Sequence, residues 1–381
     1  MTASVTTPHQ AEGNARRGDL WWWMLGAVIV LALSGVGALL GVSLGRQAEI
    51  AGTSRAPIDV PPLPQLTAEA TEPEPGTVAA LAAQTLPGVV TLSIDAVGAA
   101  GSGSGFIVSD EGYLVTNNHV IEGAVASPET SRIEVIFFDG TRSEAEIVGR
   151  NVSYDLAVLS VELPPGLPVL AWGDDDRVRV GDSVIAIGAP LGLRGTVTQG
   201  IVSAVNRPVT TGSNTAQGPS YIDAIQTDAS INPGNSGGPL LDGDGSVIGV
   251  NTAQATQAPG AISGNIGLGF AIPASDAQRI ATEIIDTGSA TTPVIGVTLD
   301  STYPGPGALI DAVTAGSPAS GAGLQPGDLI TAVDGRPVAD ARTLIIAIRA
   351  NAPGDVIEIT VRRGFEEFTA EVTLEARSDV P

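Results

Sequence analysis

From residue 89 onward, apolar and polar positions alternate in short runs separated by Gly, Asp and Asn, the spacing of half-buried β-strands. Val89-Val90-Thr91-Leu92-Ser93-Ile94 is the first run, and residues 106–108 and 113–115 form a pair around an Asp110-Glu111-Gly112 turn. Further runs follow at 133–138, 143–148, 155–161, 183–187, 195–204, 221–226 and 247–250, so the pattern predicts roughly a dozen strands in all. Residues 275–286 break the alternation: Ile280, Ile284 and Ile285 recur at helical spacing, and Gly288 supplies a stop. A second, α+β unit starts at Val294. It has a helix over 340–350 carrying Leu344, Ile345 and Ile348, then two strands at 356–362 and 365–374 turning at Arg363-Gly364.

The chain before the strands reads differently. Residues 1–20 are polar and are expected to be a disordered tail. Residues 21–45 carry no charge. A helix of that length reaches roughly 38 Å, against a hydrocarbon core of about 30 Å. Trp21, Trp22 and Trp23 suit a membrane interface, and the five glycines between Gly26 and Gly45 suit membrane helices. A single transmembrane helix is therefore expected. The rival, a cleaved signal peptide, needs a shorter apolar region and a small-residue cleavage site that does not stand out here. Arg16 and Arg17 precede the span and Arg46 follows it, so charge leaves orientation open. Residues 46–76, rich in Pro, Thr, Ala and Glu, read as an extended linker.

Composition narrows the chemistry. With no cysteine there are no disulfides, no thiol catalysis and no cysteine-bound metal. Only two histidines are present, and His9 lies in the tail, which excludes a histidine-rich metal site. The net charge of −23, with all 18 basic residues arginine, disfavours nucleic acid and anionic lipid as partners. No metal and no cofactor are expected. Asp174-Asp175-Asp176 imitates a metal cluster but reads as a solvated turn.

The stretch that carries chemistry is Gly234-Asn235-Ser236-Gly237-Gly238. Glycines let the backbone take φ > 0 in a tight turn. Such a turn lifts a serine Oγ into a cleft and aims successive N–H groups at one point, as a nucleophile and an oxyanion site require. Alone it reads better as an ordinary glycine-rich surface turn, and only the rest of the chain changes that. His119, after the strand end and Thr116-Asn117-Asn118, is the base by elimination. Asp155, ahead of the 155–161 run, is the candidate acid, although an aspartate there is ordinarily a solvated strand end. The order His, Asp, Ser matches the chymotrypsin-like arrangement.

Thr116-Asn117-Asn118-His119-Val120, the segment from Asp155 to Leu159, Gly188-Ala189-Pro190-Leu191-Gly192, the segment 196–204 and the serine stretch together resemble the HtrA serine proteases. The likeness covers about three-quarters of the chain, in register. It implies a chymotrypsin-like domain of two six-stranded β-barrels over 77–289 and a PDZ domain over 290–381. It implies a triad of His119, Asp155 and Ser236, with an oxyanion hole from Gly234, Asn235 and Ser236. Ile231 and Leu268 would flank the first substrate pocket, giving cleavage after small or medium apolar residues. Gly267-Leu268-Gly269-Phe270 imitates a PDZ carboxylate loop but runs into Ala271-Ile272-Pro273, and is read as a wall of the substrate cleft. The peptide-binding loop of the PDZ unit is assigned to Val294, Ile295, Gly296 and Val297, its rival being a plain edge strand. Residues 206–220 read as a polar loop, too irregular for a strand, which in this family senses activation. The resemblance further implies unfolded or exported polypeptides and peptide C-termini as partners, and protease and PDZ domains outside the cytoplasm at the cell membrane. A homotrimer is implied too, though no aromatic residue lies between Gly76 and Gly105 to build it. The competing class is an idle scaffold or chaperone that binds unfolded chains; an esterase fits the PDZ-like unit less well.

Overall fold

In the computed structural model, residues 72–96, 99–189, 195–211, 220–252 and 267–378 are described. The anchor expected at 21–45, with its flanking tail and the linker up to 71, lies outside them. Among the described residues no helix is long and apolar enough to cross a membrane.

After a short helix α1 (Val78–Thr85), six strands close the first barrel: β1 (Val89–Ala96), β2 (Ala99–Ile107), β3 (Tyr113–Thr116), β4 (Arg132–Ile136), β5 (Arg142–Asn151) and β6 (Leu156–Val161). Their order around it is β1-β2-β3-β6-β5-β4. A helix α2 (Asn118–Ala126) interrupts them after β3. Six more close the second: β7 (Ser183–Gly188), β8 (Thr196–Thr211), β9 (Ser220–Thr227), β10 (Pro239–Leu241), β11 (Val247–Thr252) and β12 (Gly269–Pro273), ordered β10-β11-β12-β9-β8-β7.

The two-residue period of a strand explains how neighbours serve different cores. In β2, Ile107 joins Leu92, Leu114, Val135 and Leu159 inside the first barrel, while Phe106 faces out, packing with Val89, Val115, Ile185, Val250 and Ile272 in the layer between barrels. Phe106 also meets Trp172 edge-on, centroids 5.5 Å apart. In β7, Val184 and Ala186 fill the second barrel while Ile185 and Ile187 join the shared layer. Helix α3 (Ala274–Thr287) lays Ala277, Ile280, Ala281 and Ile284 on that layer. It ends at Gly288, whose φ of 80° is the left-handed cap that glycine adopts most readily.

Residues 206–211 correct the sequence reading. They extend β8, pairing Arg207 with Ala224 and Thr211 with Ser220 beyond a bulge. Asn206, at φ 54°, takes up the irregularity that disguised the strand. Residues 212–219 lie outside the described set.

The C-terminal unit contains β13 (Thr291–Val294), β14 (Val297–Leu299), β15 (Ala308–Val313), the short α4 (Pro318–Gly321), β16 (Leu329–Val333), β17 (Arg336–Pro337), α5 (Ala341–Arg349), β18 (Val356–Arg363), β19 (Glu366–Thr373) and β20 (Glu375–Ser378). Its sheet runs β14-β15-β16-β18-β19, so β14 is an edge. Leu344 and Ile348 of α5 pack on Ile330, Ile359 and Val361. Arg363 holds Asp328 in a bidentate pair (2.7 and 2.8 Å), and that guanidinium lowers the Asp328 carboxyl pKa.

Contacts tie this unit to the barrels. Tyr154 Oη donates to the Arg349 carbonyl (2.7 Å), and Arg349 Nη1 donates to the Ser153 carbonyl (2.7 Å). The Arg349 guanidinium lies over the rings of Tyr154 and Tyr221, at 5.8 and 5.4 Å. Glu283 of α3 accepts from the Thr291 N–H (2.7 Å), joining the helix to β13.

Candidate active site

The first barrel contributes a helix N-terminus. His119 is the second residue of α2, an element the strand-rich local pattern hid. The N-cap residue, Asn117, makes no capping bond with its own side chain. Asp155 supplies one instead, across 36 residues of sequence. Its Oδ1 accepts from the His119 N–H (3.0 Å), and its carbonyl accepts from the Asn118 N–H (3.1 Å) and Asn117 Nδ2 (3.0 Å). The remaining oxygen, Oδ2, lies 2.8 Å from His119 Nδ1. An ionised carboxylate only accepts, so Nδ1 carries the hydrogen and the Nε2 lone pair faces away from the acid. One carboxylate thus caps the helix and orients the imidazole that rides on it.

Asp155 does this from a constrained backbone. It precedes β6 at φ 58°, a left-handed conformation that aspartate tolerates better than most residues. The turn before it is closed by Asp155 N–H to the Val152 carbonyl (3.2 Å) and Tyr154 N–H to Asn151 Oδ1 (3.0 Å). The side chain is not solvated: Asp155 is 2 % exposed.

The second barrel contributes the glycine turn. Gly234 and Gly237 have φ of 104° and 83°, so the turn does need its glycines. A Cβ on Gly237 would land on the Ser104 carbonyl oxygen and the Thr116 hydroxyl, leaving the turn pressed against the segment that leads to His119. Ser236 is 4 % exposed, and its carbonyl accepts from the Ser104 N–H (2.8 Å). The Asn235 N–H donates to the Asn232 carbonyl (2.9 Å), whereas among the described residues no acceptor takes the Gly234 N–H.

The end of β11 joins the halves. The Asn251 carbonyl accepts from the Gly237 N–H (2.9 Å), and the next residue, Thr252, directs Oγ1 to Asp155 Oδ2 at 3.4 Å. Segments carrying His119, Asp155 and Ser236, far apart in sequence, therefore meet along the seam of the two barrels. Thr252 and Ser104 were not singled out by sequence, because neither type in a strand signals chemistry. Ile231 is packed inside the second barrel with Val184 and Leu240, beside Gly269. Leu268, ahead of β12, is 40 % exposed. Asp175 is an anchor for α3, accepting from Ser275 N–H (2.7 Å) and Oγ (3.0 Å).

In the C-terminal unit, a cavity of about 940 Å³ runs between the free edge of β14 and α5, lined by Val294, Gly296, Val297, Ile345 and Arg349, with Tyr221 of β9 at one side. Val294 ends β13, opposite Glu375. Ile295 turns its side chain into the core, and its carbonyl accepts from Ala319 N–H (2.9 Å). Gly296 bends the chain at φ 77°.

This architecture defines a two-domain, trypsin-like peptidase class. Residues 103–250 match the trypsin-like peptidase domain and residues 293–374 match the PDZ domain. The serine protease PepD of Mycobacterium tuberculosis is 43% identical over 360 residues, 93% of this chain and 76% of that protein. A probable periplasmic serine endoprotease of the DegP-like kind from Rhizobium meliloti is 39% identical over 71% of this chain and 53% of its own length. Among solved structures, the HtrA-type protease AlgW with tripeptide is 35% identical, with a TM-score of 0.60, covering 79% of this chain and 97% of that one. The chain belongs to the HtrA family of serine proteases, the trypsin-like proteases with a C-terminal PDZ domain.

Proposed function

We propose that the chain is a membrane-anchored endopeptidase that degrades or processes misfolded or exported polypeptides through His119, Asp155 and Ser236. Ser236 Oγ attacks the scissile carbonyl carbon while His119 Nε2 takes the hydroxyl proton, then returns it to the departing amine. Water then attacks the acyl carbon and gives a proton to the same nitrogen; the bond from that carbon to Ser236 Oγ breaks, Oγ takes the proton back, and the acid product leaves. Asp155 keeps the imidazole in the useful tautomer and offsets its charge when protonated. The N–H groups of Gly234 and Ser236 stabilise the oxyanion; Asn235, whose own N–H is directed to Asn232, links them. The observation that carries this reading is the 2.8 Å bond between His119 Nδ1 and an Asp155 whose other oxygen holds the same residue's N–H.

Ile231 and Leu268 flank the first pocket and favour small or medium apolar side chains there; a clear preference for Lys or Arg refutes this assignment. Val294, Ile295, Gly296 and Val297 receive a peptide C-terminus, which adds a strand to the open edge of β14. The cavity beside that edge supports it. Occupancy of this groove regulates cleavage through the segment 206–220; the described strands that flank it, β8 and β9, lie against α5. Both domains work outside the cytoplasm, in keeping with relatives named as periplasmic endoproteases.

The decisive experiment is fluorophosphonate labelling, paired with digestion of peptide libraries with and without added C-terminal peptides. Labelling at Ser236 is expected, and Ser236→Ala is expected to lose both labelling and cleavage, with kcat down by about 10⁶ and the fold intact. Undiminished turnover by Ser236→Ala ends the assignment. Peptide binding without labelling of the unmutated chain points instead to the scaffold or chaperone reading.

A further inference from the structure

We infer that Ser104, on β2 of the first barrel, is the residue that orients the oxyanion turn of the second barrel. The inference rests on the reading of Ser236 as nucleophile and adds a positioning residue to it. Ser104 is completely buried. Its hydroxyl has a defined direction: Oγ accepts from the Ala189 N–H (2.9 Å), so its own hydrogen goes to the Gly234 carbonyl oxygen (2.6 Å). Its backbone N–H donates to the Ser236 carbonyl (2.8 Å), and its own carbonyl accepts from Thr116 Oγ1 (2.7 Å). One residue therefore holds the turn on both sides of Asn235, from 130 residues away in sequence.

The consequence lies in the peptide plane between Gly234 and Asn235. A peptide unit is flat, so fixing its carbonyl and its N–H fixes the whole unit. Ser104 holds the carbonyl and Asn232 holds the N–H (2.9 Å). Gly234, at φ 104°, has wide rotational freedom, and the next peptide back carries the N–H proposed for the oxyanion. Without the Ser104 hydroxyl, the Gly234 carbonyl loses a buried donor and the plane can swing, carrying the oxyanion donors out of alignment. The same hydroxyl also ties the turn to Ala189, the residue that follows β7. A Cβ on Gly188 would come within 2.6 Å of Asn235 Oδ1 and 3.0 Å of Ser104 Oγ, so there is no slack for another group to replace it.

Ser104→Ala in the full chain tests the assignment. We expect kcat to fall roughly ten- to a hundredfold, below the loss for deleting an oxyanion donor outright, with KM changed less than about twofold. The decisive readout is affinity for a peptide boronate, whose tetrahedral adduct on Ser236 places an oxygen in the oxyanion site. It should weaken by the same factor as kcat/KM, while affinity for the matching product peptide stays constant. A purely structural role would not separate those two ligands. Ser104→Cys, which fills the site but donates weakly, should fall between Ala and Ser, and it carries the test if Ser104→Ala does not fold. Unchanged boronate affinity in the folded variant overturns the inference alone, provided the unmutated chain is labelled at Ser236. An unmutated chain that fluorophosphonate does not label sinks the hydrolase reading and this inference with it.

Discussion

Around His119 and Asp155 the first barrel holds its side chains with a helix N-terminus, a buried carboxylate and a closed turn. Around Ser236 the second barrel uses glycines at φ 104° and 83° and hydrogen bonds borrowed from a strand of the other barrel. In the first half, one carboxylate makes the helix cap and the imidazole contact, so the catalytic geometry is also a folding contact. In the second half, the turn is shaped by its glycines, by the buried Asn235 side chain donating to the Ser230 carbonyl (3.1 Å), and by partners such as Ser104 and Asn251. The base and acid are thus set by folding the first barrel, while the nucleophile is set only once the barrels are joined.

Perturbing each half should have different consequences. Asp155→Asn keeps the size but puts an amide where the imidazole N–H donates, and kcat should drop about 10⁴-fold. A stopped assay against a fluorogenic peptide measures it; a loss below tenfold would show that the pair does not work as a unit. Gly237→Ala combines a left-handed backbone with a Cβ driven into Ser104 and Thr116. It should destabilise the chain by about 2–4 kcal/mol and lower activity in step, read by urea unfolding monitored at the tryptophans. If it leaves stability intact while abolishing turnover, the turn is more pliable than drawn here.

Asp276, in the first turn of α3, separates the halves by pH. Burial pushes its carboxyl up to about 7, against the opposing pull of Arg279 and aided by Asp175 and Asp223. The folded chain then retains a proton that the unfolded chain, with an aspartate pKa near 3.9, has already released. Stability contributed here is lost as pH rises from about 4 through 7 and is level above that. Asp276→Asn should remove this slope and raise stability at pH 8 relative to pH 5 by about 1–3 kcal/mol, measured by urea denaturation at both. An unaltered slope would place the pH dependence elsewhere. The smallest effect belongs to Tyr154→Phe, which deletes the bond to the Arg349 carbonyl next to the Asp155 turn. A cost of about 1 kcal/mol is expected in chemical denaturation, with kcat nearly unchanged. A large fall in kcat would mean that the PDZ helix braces the acid directly.

The strand runs, the glycine turn and the helix at 275–286 were legible in sequence because each is a local preference: alternation, φ > 0 and a 3.6-residue period. The helix that carries His119 was not, since Asn118–Ala126 is short and its cap comes from residue 155 rather than from its own N-cap. The end of β8 was hidden for a related reason, its pairing partners on β9 being what makes 206–211 a strand.

The residue types of the site, Ser236 among glycines, a single histidine outside the tail and an aspartate before a strand, belong to the sequence, because chemistry depends on side-chain identity. Which oxygen of Asp155 meets Nδ1, which strand supplies Ser104 and how β11 links the two halves belong to the tertiary structure. Those relations are distances between segments far apart in sequence: closing the first barrel sets the pair 36 residues apart, and only the closing of the two barrels against each other sets the contacts that reach across 97 and 130 residues.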